Sequence, residues 1–155
     1  MRTDLGFAMS RTGRVAAKYT GDTLSPDERS ERMSRVRNKD TKPEVAVREL
    51  VYSMGFRYRL HWSRLPGKPD LVFAGRRKVI FVHGCFWHRH KGCARCRTPK
   101  SRHEFWVPKL RMNRERDLAS QAKLRKLGWK FLILWECEVD RKEGIATRIK
   151  SFLEE

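Results

Sequence analysis

The chain has no apolar run of about 18 residues, the length that crosses a bilayer, and Met1 to Thr20 lacks the apolar core of a signal peptide. Both absences set the expectation of a cytoplasmic protein with no membrane partner. Acidic residues are scarce, 18 Asp and Glu against 36 Lys and Arg, which leaves a net charge of +18. An excess that large favours a polyanionic partner, DNA or RNA. Cysteine is sparse too, four in 155 residues. In a reducing compartment four cysteines read as metal ligands rather than disulfides. There are no internal repeats.

What the chain does have is concentrated in His83-Gly84-Cys85-Phe86-Trp87-His88-Arg89-His90-Lys91-Gly92-Cys93. Two thiols, three imidazoles, two bare aromatics and two cations share eleven residues. The stretch follows Val79-Ile80-Phe81-Val82, an apolar run that reads as a buried strand. A rigid sheet can therefore aim these side chains outward. The charge gathers here as well: residues 86–126 hold thirteen Lys or Arg against three acids.

At this length one domain is expected, over residues 25–155, with residues 1–24 a flexible basic extension. Ser25-Pro26-Asp27-Glu28 is a helix start with a capping box, and that Arg-rich helix is expected to run to about Asn38, with Met33 and Val36 its few apolar contacts. Thr41-Lys42-Pro43-Glu44 repeats the signal. Val47, Leu50, Val51 and Met54 give the second helix one buried face, and Gly55 ends it. Phe56 to Leu60 alternates like a half-buried strand. Asp70 to Phe73 and Lys78 to Val82 form a hairpin. A basic loop, Ala94 to Arg102, leads into a long helix from Glu104 to Leu127. Trp129 to Trp135 is a strand and Ile145 to Leu153 a terminal helix. This order predicts a three-layer α/β domain with a mixed central sheet flanked by helices.

Asp70, at the head of the hairpin, can meet the Val82 carbonyl across it. Hard oxygen ligands of this kind suit Mg²⁺. His88 is the candidate general base, since imidazole titrates near working pH. Cys85, His90, Cys93 and Cys137 give C-x4-H-x2-C plus a distant cysteine, a set that closes a tetrahedral structural Zn²⁺. Cys96 competes with Cys93 through C-x2-C spacing. Phe86, Trp87, Phe105 and Trp106 lie amid cations, where rings can wedge between bases. Unstacking is cheapest at a faulty pair.

Several blocks resemble the very-short-patch repair (Vsr) mismatch endonucleases: Leu65-Pro66-Gly67-Lys68-Pro69-Asp70, Val79 to His88, Glu104-Phe105-Trp106, Asn113-Arg114-Glu115-Arg116-Asp117, Leu127-Gly128-Trp129 and Trp135-Glu136-Cys137. With Arg29 to Met33 and Glu44 they span residues 27–139. The resemblance implies a restriction-endonuclease-like fold and a nick in one strand 5′ to the T of a T:G mismatch left by deaminated 5-methylcytosine. It implies Asp70 and the Val82 carbonyl on Mg²⁺, His88 as base, and Glu44, His83 and Asn113 holding water around the metal. Phe86, Trp87 and Trp106 become the wedge, and the helix carrying Arg29 and Met33 lies in the opposite groove. The implied protein is a monomer acting on double-stranded DNA in the bacterial nucleoid. It would be linked in function to a cytosine methyltransferase and mismatch-repair proteins. Val82 stands where a familiar member of the family has Thr, which keeps a carbonyl but no hydroxyl. His90 to Cys93 is one residue longer than the family spacing, so Cys93 and Cys96 remain alternatives. Restriction enzymes also carry Glu-x-Lys on the second strand; this chain does not, and His88 stands in for that lysine. A restriction-type enzyme cutting matched duplex and a non-catalytic zinc-stapled DNA-binding module are the other readings.

Overall fold

The sheet is small, and strand pairing explains how it presents its end. The computed structural model describes residues 25–35, 39–142 and 144–155. β1 (Leu71–Phe73) pairs antiparallel with β2 (Lys78–His83), and β2 pairs parallel with β3 (Lys130–Trp135), giving the order β1-β2-β3. The sheet is mixed, as expected. The β2–β3 register sets His83 beside Trp135, so both strands finish at the same edge. Chain leaving that edge carries the His/Cys stretch from β2 and Glu136-Cys137 from β3.

Alternation along the strands divides the core in two. Leu71, Phe73, Ile80 and Leu134 pack on one face against Val47 and Val51 of α2 (Lys42–Ser53), Val139 of α4 (Glu136–Arg141), and Ile145, Ile149 and Leu153 of α5 (Ile145–Glu154). Val72, Val79 and Phe81 pack on the other face with Leu65 and with Leu124 of α3 (His103–Lys126). Helices therefore cover both faces. Among the described helices, none is long and apolar enough to cross a membrane.

Three local expectations are corrected, and the expected hairpin turn gains a defined form. Phe56 to Leu60 is not a strand: only Arg59 pairs, bridging Val72 through bonds of 2.9 and 3.0 Å. Tyr58 instead turns its ring onto Phe73 and its hydroxyl to the Arg48 carbonyl, so side-chain burial rather than a ladder fixes this segment. α1 spans Pro26–Ser34 with its capping box in place, but closes at Arg35 rather than near Asn38. Its described residues are exposed, so little packing extends it. Val36 and residues 1–24 lie outside the described residues. The hairpin turn is a 3₁₀ turn, Ala74–Arg76, closed by Arg77 in the left-handed region (φ 51°). Finally, the six residues of α4 follow β3 with no intervening loop; the sequence reading assigned no helix there.

Candidate active site

Thr41 does not cap α2 with its side chain. Its hydroxyl donates to Glu44 Oε1 (2.9 Å), while Glu44 Oε2 accepts the Asp40 N–H (2.9 Å) and Arg48 Nη2 (3.3 Å). Arg48 also pairs with Asp40. These bonds hold Glu44, only 8 % exposed, at the start of the helix and facing the sheet edge.

There Glu44 shares a cavity of about 180 Å³ with Asp70, Val82, His83, His88 and Asp117. Asp70 meets β2 across the hairpin, its Oδ2 accepting the Val82 N–H at 2.7 Å. Burial is the largest influence on this carboxyl and outweighs the Val82 hydrogen bond; with the nearby Glu44 charge it raises the pKa from 3.8 to about 6. A group that resists ionisation alone is well placed to take a cation.

His88 Nδ1 donates to Asp117 Oδ2 at 2.6 Å, which leaves Nε2 as the acceptor. His83 stacks on His88, centroids 3.9 Å apart and 12° from parallel. Burial first, and then His88, lower the His83 pKa to about 4, so His83 is a neutral ring at working pH. Asp117 is the residue that sequence reasoning missed. It lies inside a quoted motif, but only the fold brings α3 to the active-site loop. Asn113, expected beside the metal, does not line this cavity. It lies one helical turn before Asp117, in a wider groove, with its Nδ2 donating to the Trp87 carbonyl at 3.4 Å.

That groove, about 740 Å³, runs between α1–α2 and α3. Met33, Lys42 and Pro43 line one wall, Trp87, Lys109 and Asn113 the other, and Val82, Gly84 and His88 also border it. Phe86, Trp87 and Trp106 form a triangle of half-buried rings with centroids 5.0–6.0 Å apart. Phe105 is 45 % exposed, flanked by Arg102 and Lys109. Arg29 lies on α1, but its side chain is outside the described residues.

Behind the rings, donor atoms of Cys85, His90, Cys93 and Cys137 lie within 4.8 Å of one another. His90 Nδ1 is 3.5 Å from Cys85 Sγ and 3.4 Å from Cys137 Sγ. Tetrahedral Zn²⁺ with ordinary bond lengths requires about 3.6 Å along such an edge, so three sulfurs and one imidazole here fit that ion. Burial pushes the Cys85 thiol up to about 12, so a bound cation is what would make it a thiolate. The Arg95 backbone N–H is the main cause holding the Cys93 thiol below its usual value. Cys96 stands outside the group. Glu136 Oε2 accepts the Cys85 N–H at 3.2 Å, and Arg95 joins Asp140 at 2.5 Å, tying the loop to α4.

The family model described as "DNA mismatch endonuclease Vsr" matches residues 21–95. A type II nicking enzyme, V.XorIIP of Xanthomonas oryzae pv. oryzae, is 47 % identical over 86 % of this chain and 97 % of its own length. The chain belongs to the Vsr family of DNA endonucleases. Two more Vsr relatives are the type II nicking enzyme V.NmeAIP of Neisseria meningitidis, 40 % identical over 86 % of this chain and 95 % of its own length, and the DNA mismatch endonuclease Vsr of Escherichia coli K12, 41 % identical over 76 % and 74 %. Among solved structures, the catalytic domain of the homing endonuclease I-Bth0305I gives a TM-score of 0.49 at 19 % identity, over 73 % of this chain and 94 % of that one. That likeness is too loose to add to the sequence relationship.

Proposed function

We propose that this Vsr-family protein nicks one DNA strand 5′ to the T of a T:G mismatch, using Mg²⁺ for hydrolysis and Zn²⁺ as a structural tether. The reading rests on one observation: a part-buried carboxylate, Asp70, and an Asp117-oriented imidazole, His88, share a cavity that adjoins a ring-walled groove. The names of the relatives support its two halves, since V.XorIIP and V.NmeAIP are called nicking enzymes and the Escherichia coli protein a mismatch endonuclease.

Asp70 and the Val82 carbonyl would hold Mg²⁺, with Glu44 and His83 beside it; Asn113 serves from the groove. When bound, this ion supplies charge for the phosphoryl oxygens in the transition state. His88 Nε2 takes the proton of the attacking water as its oxygen bonds to phosphorus. Asp117 holds the ring in that tautomer and stabilises the imidazolium that forms. The P–O bond to the departing nucleoside breaks opposite the incoming water, and solvent water protonates the leaving oxygen. His83, kept neutral, adds no positive charge against His88 as it protonates. Cys85, His90, Cys93 and Cys137 would hold Zn²⁺, which fastens the loop between Phe86-Trp87 and α4. Phe86, Trp87 and Trp106 would open the stack from one side of the duplex, with Met33 and Arg29 of α1 in the opposite groove.

Cleavage of duplexes carrying T:G, matched T:A or matched C:G at one position, with and without Mg²⁺, tests this function. A metal-dependent nick in the T strand of the mismatch alone is expected. Equal cutting of both strands of matched DNA would favour a restriction-type activity. Binding without cleavage would reduce the protein to a DNA-binding module.

A further inference from the structure

Lys68 is the one Lys or Arg among the residues lining the Asp70 cavity, where three carboxylates, Glu44, Asp70 and Asp117, also lie. Among the described residues its ammonium group forms no ion pair or hydrogen bond, whereas Glu44 is held by Arg48 and Asp117 by His88. Its charge is therefore not committed to either partnered carboxylate.

The backbone beneath it is forced. Gly67 has φ 79°, and a Cβ there would lie 2.9 Å from Ser120 Cβ and 3.3 Å from the Phe81 ring. Only glycine fits, and the turn is clamped between α3 and β2. Lys68 follows in the left-handed region, φ 50°. Glycine occupies that region without strain, while a lysine does so at a cost of about 1 kcal/mol or more. A residue before proline is ordinarily driven to extended backbone instead, and Pro69, buried, follows Lys68 directly. A strained lysine beside an acid-lined cavity, two residues before Asp70, calls for a reason that packing does not give, since Lys68 is exposed.

We propose that Lys68 is a catalytic contact: its ammonium faces the scissile phosphate and supplies positive charge there, which the second strand of this chain does not, since it lacks Glu-x-Lys. This inference rests on the proposed phosphodiester hydrolysis at Asp70 and His88. It divides the role of the missing lysine, with water activation falling to His88 and phosphate neutralisation to Lys68. No new covalent step is involved; the ammonium stays protonated throughout.

The test uses the full chain, Lys68→Gly, Lys68→Gln, Lys68→Arg and Asp70→Asn, with a T:G duplex at saturating protein and Mg²⁺. Lys68→Gly removes the charge while easing the backbone, so its melting temperature should hold or rise. Its single-turnover rate should fall roughly a hundredfold, the scale for one charge-stabilising contact in a transition state. Lys68→Gln should fall equally and Lys68→Arg should recover most of the rate. The slope of log K against log salt for DNA binding should drop by about 0.9, one phosphate contact, in Lys68→Gly. Native-like rates in Lys68→Gly overturn the inference. So does Lys68→Arg no faster than Lys68→Gln, or a loss of rate that only tracks a lowered melting temperature. If Asp70→Asn cleaves at the native rate, the proposed hydrolytic site itself fails; if only the Lys68 variants do, that site stands and Lys68 has no part in it.

Discussion

His88 and Asp117 are joined by a 2.6 Å hydrogen bond that links the loop after β2 to the middle of α3. The carboxylate can only accept, so it fixes the proton on Nδ1. An amide at the same place can present its NH₂ instead and favour the opposite tautomer. Asp117→Asn should therefore keep DNA affinity within a few-fold while lowering the single-turnover rate by roughly 10²–10⁴. Single-turnover cleavage beside equilibrium binding checks this; a native rate would remove Asp117 from the mechanism.

Asp70 and His83 should offset one another in acid. Asp70 titrates near 6 in the folded chain against 3.8 ordinarily, so folding favours its protonated form. That stability is present below about pH 4 and lost as pH rises through 6. His83 titrates near 4 against 6.5, so folding favours its neutral form. That stability is present above pH 6.5 and lost as pH falls through 4. Each contribution is about 3 kcal/mol. Asp70→Asn should be more stable than the native protein at pH 7.5 by a few kcal/mol, and this advantage should shrink to near zero by pH 4. Urea unfolding of both proteins in matched buffers without Mg²⁺ measures the difference. A pH-independent difference would refute the burial of an ionised Asp70.

Removing Cys137 should abolish tight zinc binding, and removing Cys96 should not. Cys137→Ser is expected to purify with less than a tenth of the native zinc and to lose several kcal/mol of stability. Cys96→Ser should retain one zinc per chain and melt normally, because its sulfur lies outside the four-donor group. Metal analysis with thermal unfolding decides; the reverse pattern would exchange Cys96 for Cys93 as ligand.

The ring triangle should matter for mispaired DNA far more than for matched DNA. Trp87→Ala and Trp106→Ala are each expected to weaken T:G duplex binding by roughly tenfold to a hundredfold, the scale of one stacked ring. Matched duplex, held by phosphate contacts, should change little. A fluorescent base analogue next to the mismatch should brighten with the native protein and stay quenched with these variants. Brightening that survives both substitutions would remove the rings from the wedge.

Much of the scaffold was legible because it obeys simple periods. Val47, Leu50, Val51 and Met54 announce a helix face, and Val79 to Val82 a strand, since the sheet is buried on both sides. The metal-type group was legible because three of its four members lie within nine residues. Asp117 was not, because it is 29 residues from His88 and only the packing of α3 brings them together. Tyr58 defeated the strand reading, since alternation along a segment is equally satisfied by side chains that dock without a ladder. The helix Glu136–Arg141 is too short for any period to reveal.

Trp135, at the end of β3, stands between the two clusters, stacked on His90 at 4.2 Å and edge-on to His83 at 5.4 Å. One indole is thus a party wall between a sulfur-rich compartment and an oxygen-rich one. The Cys/His group touches this indole through His90 and the His83–His88 pair touches it through His83, so any displacement of Trp135 is felt by both clusters. A large ion such as Cd²⁺, if seated among the sulfurs, would crowd the stack of His90 on Trp135, and the imidazole pair beyond the indole would register the displacement.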